Sequence, residues 1–145
     1  MSYWTWEPSL EIGVPVIDSQ HRKIVDYINT LSAAIANNEK THVEKVLDEL
    51  LTYTITHFAF EEELMEKGGY RFVESHKNVH ENFTHRVENY RERFQNGEDI
   101  SRKLLTDLKI WLTNHIQRDD MDYAPFVRGD IDGNWLSRTL KRFFG

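Results

Sequence analysis

Two short stretches place metal-ligand side chains four residues apart: His57-Phe-Ala-Phe-Glu61 and His76-Lys-Asn-Val-His80. Each lies in a segment whose apolar residues recur at helical spacing. On an α-helix, residues four apart are stacked neighbours, so each pair points one way. Two such helices face to face enclose a polar site. His21, on an earlier amphipathic segment, and His115-Ile-Gln-Arg-Asp-Asp120, at the end of a later one, add to it. Five histidines and two carboxylates thus come from four segments; of the 7 histidines only His42 and His85 are left over.

A lone histidine on an apolar helix face is usually a hydrogen-bonded core residue. Seven ligand-type groups at one level of one bundle are another matter, because burying them without a partner costs about 1–3 kcal/mol each. A bound metal removes that cost. The chain has no cysteine, which excludes disulfides, thiolate zinc and iron–sulfur centres. Imidazole and carboxylate donors suit iron, manganese or zinc. A structural zinc site is closed and four-coordinate. Here five imidazoles, two bridging carboxylates and a bridging oxide or hydroxide fill all but one position of two octahedral ions. That favours a dinuclear iron site with room for one small exogenous ligand.

Other metal patterns fit less well. The ferritin-like centre needs Glu-x-x-His from two helices, and only Glu39-Lys-Thr-His42 matches, at a helix start away from the core level. The zinc-protease signature His-Glu-x-x-His is missing, since His80-Glu81 is followed by His85 one residue too late. There is no Gly-rich phosphate loop, and a net charge of -6 argues against a nucleic-acid partner.

The elements that must position these groups are helices. Residues 18–37 carry His21, Ile24, Ile28, Leu31 and Ile35 on one face, with Asp18 placed as the N-cap. A second helix starts near Thr41, with Val43, Val46, Leu47, Leu50, Thr54, His57, Glu61 and Leu64 inward, and ends at Gly68-Gly69. Phe72, Val73, His76, His80, Phe83, Val87, Tyr90 and Phe94 trace the stripe of a third, which stops near Asn96-Gly97. A fourth begins near Asp99 with Leu104, Leu108, Trp111, Leu112 and His115 inward, and Asp120 just past its last turns. These amphipathic segments and short loops predict an all-α, up-down-up-down four-helix bundle, in which sites are built from inward side chains of facing helices.

A chain of 145 residues makes one domain with a real core. Its expected parts are an extended N-terminal arm (1–17), the bundle (18–120) and a C-terminal extension (121–145) that holds a Gly- and Asp-rich loop and a short helix over 134–144. The arm's tryptophans, Trp4 and Trp6, read as core. With no spanning segment and no signal-like run in residues 1–10, the expected location is the cytoplasm.

The run Ile17 to His21, the His-x3-Glu and His-x3-His pairs, and His-x4-Asp after Trp111-Leu112 resemble the hemerythrin family. The resemblance spans roughly Trp4 to Phe126 and includes all seven expected ligand positions. It implies a non-haem di-iron site, oxo- or hydroxo-bridged, that binds O2 reversibly. By that resemblance His76, His80 and His115 hold the coordinatively filled iron. His21 and His57 hold the iron with the vacancy, and Glu61 and Asp120 bridge the pair. Asp119 and Asp122 are then read as solvated charges. Ile24, Phe83, Leu112 and Ile116 resemble the residues that line the O2 pocket.

The implied use is oxygen carriage, storage or delivery to an oxygen-consuming enzyme. The alternatives are an O2 or redox sensor acting through a partner, and peroxide, nitric oxide or iron detoxification at the same site. The expected protein is a non-enzyme and a monomer. Its 134–144 segment, basic on one side and aromatic on the other, is expected to pack on the bundle, with a membrane surface or a partner enzyme as the alternative contact.

Overall fold

The computed structural model describes residues 3–129 and 132–145. Helix α1 spans Pro15–Ala36, α2 Lys40–Lys67, α3 Val73–Gln95 and α4 Ser101–Asn114. A π turn, His115–Asp120, leads without a break into α5, Met121–Val127, and α6 covers Gly133–Phe144. No strand occurs among the described residues. α2 packs on α1 and α3, and α4 packs on α1, which closes the four-helix bundle.

The inward stripes are those of the sequence pattern. Ile17, Ile28, Leu31, Leu47, Leu64 and Leu104 are essentially inaccessible to solvent, and each such side chain contributes about 1.5–3 kcal/mol by leaving water. Phe72 is the exception: it precedes the first turn of α3 and is 53% exposed.

Asp18 is not a helix cap. Pro15 starts α1 three residues earlier, its fixed φ suiting the first turn. The buried Asp18 carboxylate instead accepts the backbone N–H groups of Ile12 (2.9 Å) and Gly13 (3.3 Å). Asn29 holds the arm at a second point. It accepts from the Trp4 N–H and donates to the Trp4 carbonyl, both at 2.8 Å. Trp4 is buried, Trp6 partly so, and a 3-10 turn runs over Pro8–Leu10.

The fourth helical run also differs from expectation, because it continues past Asp120 to Val127 instead of ending there. Tyr123, Ala124 and Val127 are buried in the bundle. At the C terminus, Asp132 caps α6 by accepting from the Asn134 N–H. Of the Gly- and Asp-rich stretch expected as a loop, Asp130 lies outside the described residues and Gly133 already belongs to α6. α6 lays its apolar side on α2: Phe143 and Phe144 meet the fully buried Phe60 at ring distances of 6.1 and 5.8 Å, and Arg142 pairs with Glu63.

Candidate metal centre

The seven ligand-type residues come together, all buried, at one level of the bundle. α1 supplies His21, α2 His57 and Glu61, α3 His76 and His80, and the π turn His115 and Asp120. The four-residue spacings work through the α-helical turn. The five-residue spacing of His115 and Asp120 does not; in an α-helix Asp120 would rotate off His115's face. The i→i+5 turn restores the alignment, with Asp120 Oδ1 3.1 Å from His115 Nε2.

Each of the five buried histidines presents Nε2 to the centre, and each carboxylate divides its two oxygens between two groups. Glu61 Oε1 lies 3.0 Å from His80 and 3.3 Å from His76, and Asp120 Oδ1 lies 3.1 Å from both His76 and His115. The other oxygens face the opposite way: Glu61 Oε2 is 3.3 Å from His57 and 3.7 Å from His21, and Asp120 Oδ2 is 3.1 Å from His21. Two overlapping donor sets result, Glu61 with His76, His80, His115 and Asp120, and Glu61 with His21 and His57.

The residues fit metal ions better than they fit one another. His21 Nδ1 and Nε2, His57 Nε2 and both Asp120 oxygens are buried without a hydrogen-bond partner. In addition, His80 Nε2 and His115 Nε2 approach to 3.1 Å. Donors about 3 Å apart match the edge of an octahedron of ligands at roughly 2.1 Å.

Without metal the carboxylates draw protons to the centre. Burial alone would lower the histidine pKa values, but the facing Asp120 and Glu61 carboxylates outweigh it. They push His21 up to about 9, His76 up to about 10 and His115, helped by Asp119, up to about 9. His57 goes the other way, because burial prevails there. Burial acts to raise both carboxylates, yet the surrounding imidazoles hold Glu61 and Asp120 below the usual range. A cation at the centre replaces those protons.

Four further residues touch the ligand set. Tyr123, fully buried, donates its hydroxyl to Glu61 Oε2 at 2.9 Å. Three acceptors sit behind histidine Nδ1 atoms: Gln20 Oε1 at 2.6 Å from His57, Glu62 Oε2 at 2.8 Å from His80, and Asp119 Oδ2 at 2.8 Å from His115. Such contacts fix the tautomer that turns Nε2 inward. Asp119 is therefore not merely a solvated charge, and Asp122, though exposed, accepts from the Tyr70 hydroxyl. Sequence carried one clue to these partners. Gln20, Glu62 and Asp119 are each the chain neighbour of a ligand-type residue, about 100° around the helix from it.

One turn along the bundle from the donors lies an enclosed apolar cavity of about 10 Å³, room for one water-sized molecule. Ile24, Thr54, Phe83 and Leu112 form the layer nearest the site, one from each helix, and Ile28, Leu50, Val87 and Leu108 the next. Ile116 is fully buried but is not among the lining residues. Aromatic rings back the ligands from the sides: Phe58 stacks on His80 at 3.8 Å, Trp111 on His115 at 4.4 Å, and Phe83 on Trp111 at 3.7 Å.

Residues 12–127 match the model of the hemerythrin HHE cation binding domain. The chain belongs to the hemerythrin family. It is 50% identical to a bacteriohemerythrin of Stenotrophomonas maltophilia and 46% identical to one of Pseudomonas aeruginosa, in both cases over all of each chain. It is 32% identical to the hemerythrin of Phascolopsis gouldii, over 83% of this chain and 90% of that one. The crystal structure of a wild-type hemerythrin superposes with a TM-score of 0.82 at 28% identity, covering 88% of this chain and all of the other. Hemerythrins are di-iron proteins, and the buried histidine and carboxylate cluster of this member has the donors for two ions.

Proposed function

We propose that this hemerythrin-family chain binds O2 reversibly at two non-haem iron ions, for oxygen carriage, storage or delivery to an oxygen-consuming enzyme. The observation that carries the reading is the division of the Glu61 and Asp120 oxygens between two histidine groups. His76, His80 and His115 would hold one iron and His21 and His57 the other, with Glu61 and Asp120 offering one oxygen to each. The two-histidine set, one donor smaller, would leave room there for the exogenous ligand. Two ferrous ions held there would supply the two electrons that reversible O2 binding needs.

The chain's own residues supply the surroundings that make return favourable. Ile24, Phe83 and Leu112 line a narrow apolar space one turn from the donors, where charge separation that would drive an oxidised species away is poorly solvated. Tyr123 fixes Glu61 in place without giving up its proton. Burial and the Glu61 charge push its hydroxyl pKa well above the usual range. The apolar side of α6 rests on α2, which favours internal packing over a membrane contact.

The test is gas uptake by the reduced, iron-loaded protein. We expect one O2 per two irons, recovered in full under vacuum over repeated cycles. Oxygen that is consumed and not recovered would replace carriage with turnover.

A further inference from the structure

The three acceptors behind the histidines are not alike. Glu62 and Asp119, both carboxylates, stand behind His80 and His115, in the three-histidine group. Gln20, a neutral amide, stands behind His57, in the two-histidine group. Gln20 is 5% exposed and reaches across from α1 to α2 at 2.6 Å, while its amide nitrogen has no partner. A buried amide that leaves its donor unsatisfied is held in place by its oxygen. That oxygen needs a proton on His57 Nδ1. The His57 Nε2 lone pair, itself unpartnered, is then free to face the centre.

We propose that Gln20 is a positioning residue that selects the metal-binding tautomer of His57, and that its lack of charge sets the two metal positions apart. A carboxylate behind an imidazole raises the basicity of the ligand and so favours the more highly charged ion; an amide orients the ring without that effect. The His76, His80 and His115 position is therefore the better ferric site. The His21 and His57 position, where the proposed function puts the exogenous ligand, returns more readily to the ferrous state. This inference rests on the two-ion reading of the site. Its two halves are separable, since orientation needs any acceptor and the difference in potential needs a neutral one.

Three proteins decide it: the wild type, Gln20→Leu and Gln20→Glu. Histidine 15N shifts of the metal-free protein report the His57 tautomer, Co(II) titration reports the number and affinity of bound ions, and redox titration of the iron-loaded protein reports the midpoint potential. The wild type should carry its His57 proton on Nδ1 and bind two Co(II). Gln20→Leu should move that proton to Nε2 and weaken the second ion about 10–100-fold, leaving the first unchanged. Gln20→Glu should keep the Nδ1 proton and both ions while shifting the midpoint potential downward.

A Gln20→Leu protein with the wild-type tautomer and both affinities intact would overturn the orienting role. A Gln20→Glu protein with an unshifted or higher potential would overturn the electronic one. If Gln20→Leu does not fold, the tautomer, ion count and potential of Gln20→Glu decide both. A wild-type protein that takes up a single Co(II) would sink the two-ion reading and this inference together.

Discussion

Each of the two carboxylates serves both donor groups, whereas each histidine serves one. Glu61 touches His76 and His80 through Oε1 and His57 through Oε2, so no other side chain of α2 can stand in for it. Substitutions should therefore fall into two classes. His57→Ala is expected to bind one iron per chain instead of two, because only the two-histidine position loses a donor. Glu61→Gln is expected to retain neither ion firmly, since an amide offers a single oxygen acceptor to what a carboxylate bridges with two. Iron per chain after reconstitution and desalting distinguishes them. Equal losses in the two variants would contradict the assigned roles.

Helix geometry explains which parts of the site could be read in the chain and which could not. His57 with Glu61 and His76 with His80 are legible because a four-residue spacing is one α-helical turn, whatever the tertiary structure. Asp120 follows no such rule. Its spacing from His115 fits one face only with a π turn, so its choice over Asp119 and Asp122 rests on the family's His-x4-Asp spacing and not on periodicity. Gln20 and Glu62 act across helix seams, at distances that depend on how α1, α2 and α3 pack. Tyr123 acts from a helical turn that was expected to lie outside the bundle. Asp18 shows the opposite failure: its cap-like position concealed a longer-range role, binding the arm.

The end of α2 carries a further constraint. A Cβ on Gly68 would lie 2.5 Å from the Phe126 carbonyl oxygen and 2.7 Å from a Val127 methyl. The glycine lets α5 approach closely enough for Tyr123 to reach Glu61. Gly68→Ala is expected to cost about 1–3 kcal/mol as α5 is pushed outward. Its readout is denaturant unfolding of the metal-free protein. Gly69, in the left-handed region at φ +76 but with open space around it, supplies the turn itself.

At the scale of the whole molecule, the buried centre makes stability depend on pH, and in opposite ways with and without metal. In the metal-free protein His21, His76 and His115 are raised to about 9, 10 and 9 from an ordinary value of 6.5. A raised pKa contributes stability that is whole below the unfolded value and is lost as pH climbs through the folded one. Glu61 and Asp120, held low, contribute stability present above their ordinary range and lost as pH falls. The metal-free chain should thus be most stable between about pH 5 and 6.5 and melt at progressively lower temperature toward about pH 10. Bound ions need the same nitrogens deprotonated, so stabilisation by metal should grow over that interval and vanish on acidification. Paired melting curves test this. A metal-free melting temperature that stays level from pH 6 to 10 would remove the proton-holding role of the centre.

The arm and α6 are fastened to the bundle that buries this charge. Asp18 and Asn29 fasten the arm to α1, and Arg128 donates to the Ile12 carbonyl, tying the end of α5 to it. The fold thus shields one polar layer inside an apolar bundle, with a small apolar cavity beside it.

The central claim is that this layer holds two irons that bind O2 and let it go. It is tested most directly by the visible absorption spectrum of the iron-loaded protein, reduced without oxygen, exposed to air and then degassed. A charge-transfer band that appears with air, disappears on degassing and returns on a second exposure is the expected result. A sample that passes at once to the oxidised spectrum and never returns, or one with no iron spectrum at all, would contradict it.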